Sequence, residues 1–202
     1  MGEAVDLLLV RCRLTAAEGL AEAARSFCAQ TGLPLVPQRL AWSRDSGWAY
    51  VYVAPPQRMA LDASVPRQLA ALWAAHSPAC GEVDVSRMEL LQDLPGQSHG
   101  ARPGRHYVVE TDPEQGWDDE IARWYVQEHM PGLARVAGCV DARRLRNHDA
   151  GPASHACYSL LTEDTLGSPP WLAVRNSDWS SRVRPHFTNT RRTMMEIVPT
   201  LP

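Results

Sequence analysis

Residues 124–131 of this chain are Trp-Tyr-Val-Gln-Glu-His-Met-Pro, and they end a stretch with helical periodicity that starts near residue 112. At about 100° per residue, the apolar side chains of this stretch fall on one face, which includes Trp124 and Tyr125. Glu128 falls on the same face, where a carboxylate breaks the apolar pattern. The helix dipole also disfavours an acid in the last turn, so Glu128 needs a partner or a function.

Two interpretations of the Glu-His pair are open. In the structural one, Glu128 forms a salt bridge to Arg143 or Arg144 on the following strand. His129 then hydrogen-bonds the chain reversal at Pro131. In the functional one, His129 is a general acid/base with a pKa near neutrality, and Glu128 orients it or shares its proton.

The elements around this helix follow the order β-α-β-β-α-β. An Asp-Pro-Glu sequence at 112–114 is typical of a helix start, and Pro-Gly at 131–132 predicts its end. We predict strands at 106–111, 139–146, 155–161 and 192–198, and a second helix within 170–183. The first half shows the same order, with strands at 6–14, 36–43, 48–54 and 87–92 and helices at 16–32 and 66–76.

This repeat in element order predicts two domains with little shared sequence. Residues 1–93 form a degenerate N-terminal ferredoxin-like unit, residues 94–104 a Pro/Gly-rich linker, and residues 105–202 the C-terminal unit with the motif. Each βαββαβ unit leaves one sheet face uncovered, and that face must be buried. The predicted fold is therefore α+β, with two tandem ferredoxin-like units packed sheet to sheet around a barrel-like core.

Composition excludes several classes of function. The net charge is −3, so no electrostatic grip on nucleic acid is expected. The chain has no lysine, which excludes a Schiff base. There is no Walker loop, no Gly-x-Gly-x-x-Gly sequence and no His/Cys spacing typical of a metal site, so we expect no cofactor and no metal. The cysteine number is odd, and we find neither a signal peptide nor a membrane span, which suggests a cytoplasmic protein.

The motif at 124–131, the Val-Ala-Gly at 136–138 and the Arg-bearing strand that follows resemble the dimeric α/β-barrel superfamily. The similarity is greatest to its EthD-like branch and to related uncharacterised bacterial proteins. Trp171, Trp179 and the Arg192-Thr193 pair fit the same pattern, so the resemblance covers about the second half of the chain. It implies that two ferredoxin-like units pair through their sheets, with a pocket between the sheet and the helices of a unit.

The resemblance also implies roles for particular residues. His129 is the expected acid/base with Glu128 beside it, and the substrate would be a small aromatic or enolisable compound. Relatives of this type are cofactor-free monooxygenases, isomerases and cyclases or dehydratases. Arg182 and Arg184 lie near the last helix and either line the pocket or stay on the surface. The expected substrate-binding residues are Trp124, Tyr125, Arg143, Arg144, Trp171 and Trp179.

The first half lacks both the Trp-Tyr and the Glu-His of the motif. We therefore expect one pocket per chain, with the first half as the pairing partner. The expected partners are a small-molecule ligand and a second copy of the chain in a homodimer, with no nucleic acid or membrane. The alternative to an enzyme is a non-catalytic ligand-binding or assembly module. The two readings differ in whether His129 lines an apolar cavity of several hundred Å³.

Overall fold

The computed structural model describes residues 2–77 and 80–200. Its residues group into two compact units. The first unit comprises Met1–Leu90, Asn147–Ala150 and Met195–Pro202, and the second comprises Leu91–Arg146 and Gly151–Met194. Within the described residues we find no helix that combines the length and the apolar character of a membrane span.

The first unit is built on four antiparallel strands and two helices. Strand β2 pairs with β4 on one side and with β6 on the other, and β4 pairs with β3, which is the strand order of a ferredoxin-like βαββαβ unit. Its core includes the edge-to-face pair of Phe27 and Trp73, whose ring centroids are 5.2 Å apart. Its elements are β1 (Glu3–Val5), β2 (Leu7–Arg13), α1 (Leu20–Gln30), β3 (Val36–Trp42), β4 (Trp48–Ala54), β5 (Met59–Leu61), α2 (Val65–His76) and the first part of β6 (Gly81–Pro95).

The second unit repeats this arrangement. Strand β9 pairs antiparallel with both β7 and β8, and the helices pack on the strands around Trp124, Tyr158 and Trp171. Short 3-10 turns at Glu163–Gly167 and Arg184–His186 flank the last two helices. Its main elements are β7 (Arg105–Pro113), α3 (Asp118–Trp124), a π-helical turn (Tyr125–His129), α4 (Met130–Ala134), β8 (Cys139–Asn147), β9 (Ser154–Leu160), α5 (Pro169–Arg175), α6 (Asp178–Val183) and most of β10 (Phe187–Val198).

Eight of these strands form one antiparallel sheet, which closes as a barrel in the order β10-β3-β4-β2-β6-β8-β9-β7. The remaining two, β1 and β5, form a small separate sheet. The predicted α+β fold class with two ferredoxin-like units is therefore confirmed.

Two strands begin several residues earlier than the sequence predicts. β6 begins at Gly81 and runs to Pro95, and β10 begins at Phe187. The Gly, Glu and Asp residues at 81–84 have weak intrinsic preference for strands. They belong to the strand because it pairs with β2, where Asp84 lies opposite Arg11 and Gly81 opposite Arg13, with an irregularity at Glu82 between them. Pairing with the neighbouring strand, rather than local composition, thus sets the start of β6.

The predicted ends of the motif helix are wrong. Asp112 does not start the helix, because its carboxylate accepts hydrogen bonds from the Ala153 backbone (2.7 Å) and the Asn189 amide (3.0 Å). β7 therefore continues to Pro113, and the helix begins at Asp118. At the other end, Pro131 does not stop the helix. It lies in the first turn of α4, directly after the π turn, a position where its missing N–H is tolerated.

The last predicted helix is also different. It is two short helices, α5 and α6, separated at Asn176 and Ser177. The Ser177 hydroxyl accepts a hydrogen bond from the Ser180 backbone N–H at 3.1 Å, so Ser177 is the N-cap of α6. A serine that caps a new helix competes with continuation of the previous one, which explains the break.

Candidate functional site

The second unit contains a cavity of about 660 Å³. This volume lies within the range of small-molecule binding sites. Its lining includes six Tyr, Trp or Phe side chains, three arginines and two acids. The lining residues are Tyr107, Val109, Trp124, Tyr125, His129, Leu133, Ala156, Tyr158, Glu163, Asp164, Leu166, Gly167, Trp171, Leu172, Arg175, Arg184, Phe187 and Arg192.

The π turn places the motif side chains in this cavity. In a regular α-helix, residues five apart point in directions about 140° apart. In the π turn the Met130 backbone N–H donates to the Tyr125 carbonyl, five residues back. The imidazole of His129 consequently stacks on the indole of Trp124, with ring centroids 4.1 Å apart and planes 25° from parallel. Tyr125 in turn stacks on Phe187 at 6.2 Å.

His129 is neutral at physiological pH. Burial, followed by the positive charges of Arg184 and Arg175, lowers its pKa to about 3. Its Nδ1 atom is buried and has no hydrogen-bond partner among the described residues. The expectation of a pKa near neutrality is therefore wrong for the ligand-free site, because burial and two nearby arginines disfavour a positive charge on the imidazole. The expected hydrogen bond between His129 and the chain reversal at Pro131 is therefore not made by Nδ1.

Glu128 points away from the cavity and towards α6. The Ser177 hydroxyl donates to its Oε1 at 2.6 Å, and this is the same hydroxyl that caps α6. The predicted salt bridge to Arg143 or Arg144 does not form. Arg143 instead pairs with Asp93 at 3.2 Å. The carboxylate on the apolar face is thus explained by a hydrogen bond to the start of α6, a contact that the sequence did not reveal.

Of the eight predicted site residues, four line the cavity: Trp124, Tyr125, His129 and Trp171. The guanidinium of Arg144 lies 4.6 Å from the Tyr125 ring centroid, a cation–π contact, and it does not line the cavity. The indole N–H of Trp179 donates to Glu120 Oε1 at 2.9 Å, outside the lining. Four predicted site residues therefore do not line the cavity: Glu128, Arg143, Arg144 and Trp179.

The arginines in the wall are Arg175, Arg184 and Arg192. Arg184 and the Arg192-Thr193 pair stood out in the sequence, whereas Arg175 and the tyrosines of β7 and β9 did not. Burial raises the pKa of the Tyr107 hydroxyl, while the three arginines act in the opposite direction. The Tyr158 pKa is also raised, chiefly by burial, and its hydroxyl donates to Met130 Sδ at 3.2 Å. Period-2 alternation along β7 and β9 is the signal that could have identified these tyrosines.

The first unit has a smaller cavity of about 360 Å³, so the expectation of a single pocket is wrong. Its wall has no Trp, Tyr or Phe and includes Glu18, Glu22, His76 and Cys80. It arises beside α1 and α2, where the equivalent of the motif helix carries small residues. Across residues 2–77 and 80–200, no group of three or more His, Cys, Asp or Glu side chains is arranged to hold a metal ion.

No family model matches the chain, and no curated protein matches it. Several solved structures do have a similar fold. An anthrone oxidase-like protein superposes with a TM-score of 0.64 at 13% identity, covering 98% of this chain and 94% of that one. A ferredoxin fold protein from Listeria monocytogenes, related to antibiotic biosynthesis monooxygenases, gives 0.55 at 8% identity, covering 98% and 96%. The heme-degrading enzyme of Listeria monocytogenes gives 0.55 at 7% identity, covering 94% and 98%. At these identities the similarity concerns the fold, and with the closed antiparallel sheet it shows that this chain has the fold of the dimeric α/β-barrel superfamily.

Proposed function

We propose that the protein is an EthD-like, cofactor-free enzyme that performs acid/base chemistry on a small aromatic or enolisable substrate in the cavity of the second unit. One observation carries the proposal. A neutral imidazole, His129, is held by ring stacking rather than by hydrogen bonds in the wall of a cavity of about 660 Å³. A neutral imidazole can accept a proton, whereas an imidazolium cannot.

The wall of the cavity favours a flat aromatic ligand. Trp171 is edge-on to Tyr158 at 5.2 Å and to Tyr107 at 6.5 Å, and Phe187 is edge-on to Trp124 at 5.8 Å. Aromatic side chains arranged in this way offer both faces and edges to a bound ring, and such contacts add to the apolar area buried.

The low pKa of His129 is compatible with a role as base. In the empty site, protonation adds a charge that burial and the arginines disfavour. During the reaction the proton comes from the substrate, so the imidazolium forms together with an enolate. The arginines stabilise the enolate while they destabilise the imidazolium, and the attraction between the two new charges offsets part of the desolvation. His129 is therefore the base only when substrate is present.

Glu128 has a positioning role in this proposal. Because its carboxylate accepts from Ser177, it neither shares a proton with His129 nor contacts the cavity. It fixes the end of the motif helix to α6. This replaces the expectation that Glu128 is a catalytic partner of His129.

Anthrone is a suitable probe, because it is an enolisable aromatic ketone and one solved structure of this fold is described as anthrone oxidase-like. His129 would remove a proton from the methylene carbon of anthrone to give the enolate. In air the enolate is oxidised by O₂, and one anthrone plus one O₂ yields one anthraquinone plus one water. Without O₂, the same proton step exchanges the methylene protons for deuterium.

The test measures deuterium exchange by NMR under anaerobic conditions, for anthrone and a panel of related enolisable ketones. We expect His129→Gln to slow exchange by about 10²- to 10⁴-fold. His186→Gln is the matched control, since His186 stacks on Trp117, pairs with Glu114 at 2.6 Å and does not line the cavity. The proposal fails if every compound that binds exchanges equally fast with the wild type and with His129→Gln.

The alternative remains a non-catalytic ligand-binding or assembly module of the same fold. Its support is the same cavity, because a histidine with such a low pKa can line a ligand-binding site without taking part in catalysis. Compounds that raise the melting temperature of both wild type and His129→Gln, with no exchange in either, would favour this alternative.

Heme does not fit this site well, although one protein of this fold is a heme-degrading enzyme. A histidine that binds iron nearly always donates its second ring N–H to a carboxylate, a carbonyl or water. The Nδ1 atom of His129 is buried without any such partner among the described residues. The partner that would orient His129 as an iron ligand is thus missing.

A further inference from the structure

Three arginines line the cavity of the second unit, and none of them forms an ion pair among the described residues. Arg175 ends α5, Arg184 follows α6 and Arg192 lies on β10, and all three line the cavity. Within the described part of the chain, no carboxylate oxygen lies within 4.0 Å of their guanidinium nitrogens. By contrast, Arg182 on the same α6 lies 3.6 Å from Glu120.

The three guanidinium groups are close enough to influence one another. Arg184 is half-buried, and its Nη1 donates to the backbone carbonyl of Arg175 at 3.3 Å. Its pKa is lowered by burial first and then by repulsion from Arg175 and Arg192. Of the two acids that also line the cavity, Glu163 lies 3.5 Å from Arg105. Repulsion between like charges destabilises the empty site, and a bound anion would remove it.

The neighbours of these arginines are aromatic. Tyr107, Trp171 and Phe187 line the same cavity, and the Tyr107 hydroxyl experiences all three positive charges. A ligand that fills the cavity therefore meets a flat apolar wall and a cationic group together. The planar guanidinium fork matches a carboxylate through two parallel hydrogen bonds.

We propose that the ligand of this cavity is an aromatic carboxylate, with its ring against the aromatic wall and its carboxylate held by Arg175, Arg184 and Arg192. The proposal rests on the proposed function for the identity of the site. It does not depend on turnover, because it concerns recognition alone.

The experiment compares a matched pair of probes, 2-naphthoate and its neutral amide 2-naphthamide, by isothermal titration calorimetry at constant ionic strength. We expect wild type to bind the carboxylate about tenfold or more tightly than the amide, as expected for a hydrogen-bonded charge. Arg184→Gln should lower this ratio about tenfold, while Arg184→Lys should retain part of it. Arg182→Gln removes the same charge from the surface of α6 and should leave the ratio unchanged.

Several outcomes would overturn the proposal. These are equal binding of the two probes, no binding of either, or an equal effect of Arg182→Gln and Arg184→Gln. Inorganic phosphate that binds as tightly as 2-naphthoate would show a simple anion site and would exclude the aromatic part. Arg192→Gln, on the exposed part of β10, repeats the test if Arg184→Gln does not fold. His129→Gln should keep the carboxylate preference, so a failure of the acid/base proposal is distinguishable from a failure of this one.

Discussion

The hydrogen bond between Glu128 and Ser177 makes a quantitative prediction. Glu128→Ala removes a charge-assisted bond of 2.6 Å, and bonds of this kind contribute about 1.5–3 kcal/mol. Both side chains are half-buried, so we expect the lower end, about 1.5 kcal/mol. For a chain of this size, that corresponds to a decrease in melting temperature of about 3–6 °C.

Ser177→Ala should destabilise the protein more than Glu128→Ala. It removes the same bond and also the cap on the Ser180 N–H, which contributes about 1 kcal/mol more. Glu128→Gln keeps an acceptor oxygen without the charge, and should recover about half of the loss. The assay is thermal unfolding of the wild type, the single variants and the double variant Glu128→Ala/Ser177→Ala.

The double-variant cycle decides whether the two residues act together. Because both single variants break the same bond, the double variant should be little less stable than Ser177→Ala alone, with a coupling of about 1–2 kcal/mol. Additive losses, within about 0.3 kcal/mol, would refute the structural role assigned to Glu128. The carboxylate on the apolar face would then have no structural explanation.

Three further predictions concern single sites. Because the pKa of His129 is lowered to about 3 in the folded state, the unfolded state binds more protons below about pH 6.5. Stability should therefore fall as the pH drops from about 6.5 towards 3, and His129→Gln should flatten the melting temperature measured across that range. Asp149→Ala leaves the buried guanidinium of Arg87, to which it is bonded at 2.9 Å, without its counter-charge, and should lower the free energy of unfolding in urea by about 3–5 kcal/mol. Changing both residues to apolar side chains should recover most of that loss. Gly138→Ala introduces a Cβ at a φ of 95° and against the Thr165 hydroxyl, so it should destabilise by about 1–3 kcal/mol in thermal unfolding. Adding Thr165→Ala should relieve only the contact and not the backbone strain.

The element order was predictable from sequence because it depends on local patterns. The apolar run of β2 and the hairpin of β3 and β4 match the predicted segments closely. Element ends were less predictable, because the β6 strand follows the hydrogen bonds of β2 rather than its own composition. The division of the last helix depends on Ser177, whose capping role is one of several that a serine can have.

The site was predictable only where the helix itself determines direction. Trp124 and Tyr125 are placed correctly by periodicity, since Trp124 ends the regular helix and Tyr125 directly follows it. His129 lies four residues after Tyr125, so a regular helix would also place it near the cavity; its stacking on Trp124, five residues back, depends on the π turn. Its pKa could not be inferred either, since the lowering depends first on burial and then on Arg184 and Arg175, which are distant in sequence.

The motif acts mainly by fixing one helix to another. Trp124 donates its indole N–H to the Ser180 hydroxyl at 3.2 Å, and Glu128 accepts from Ser177. Both serines belong to the start of α6, and Arg184 directly follows that helix. The same Trp124 ring supports the imidazole of His129. The Trp and Glu of the motif thus position α6 and, through it, a cavity arginine, while the Trp and His form the wall. The motif therefore fixes the position of Arg184 and of the His129 imidazole through one shared residue, Trp124.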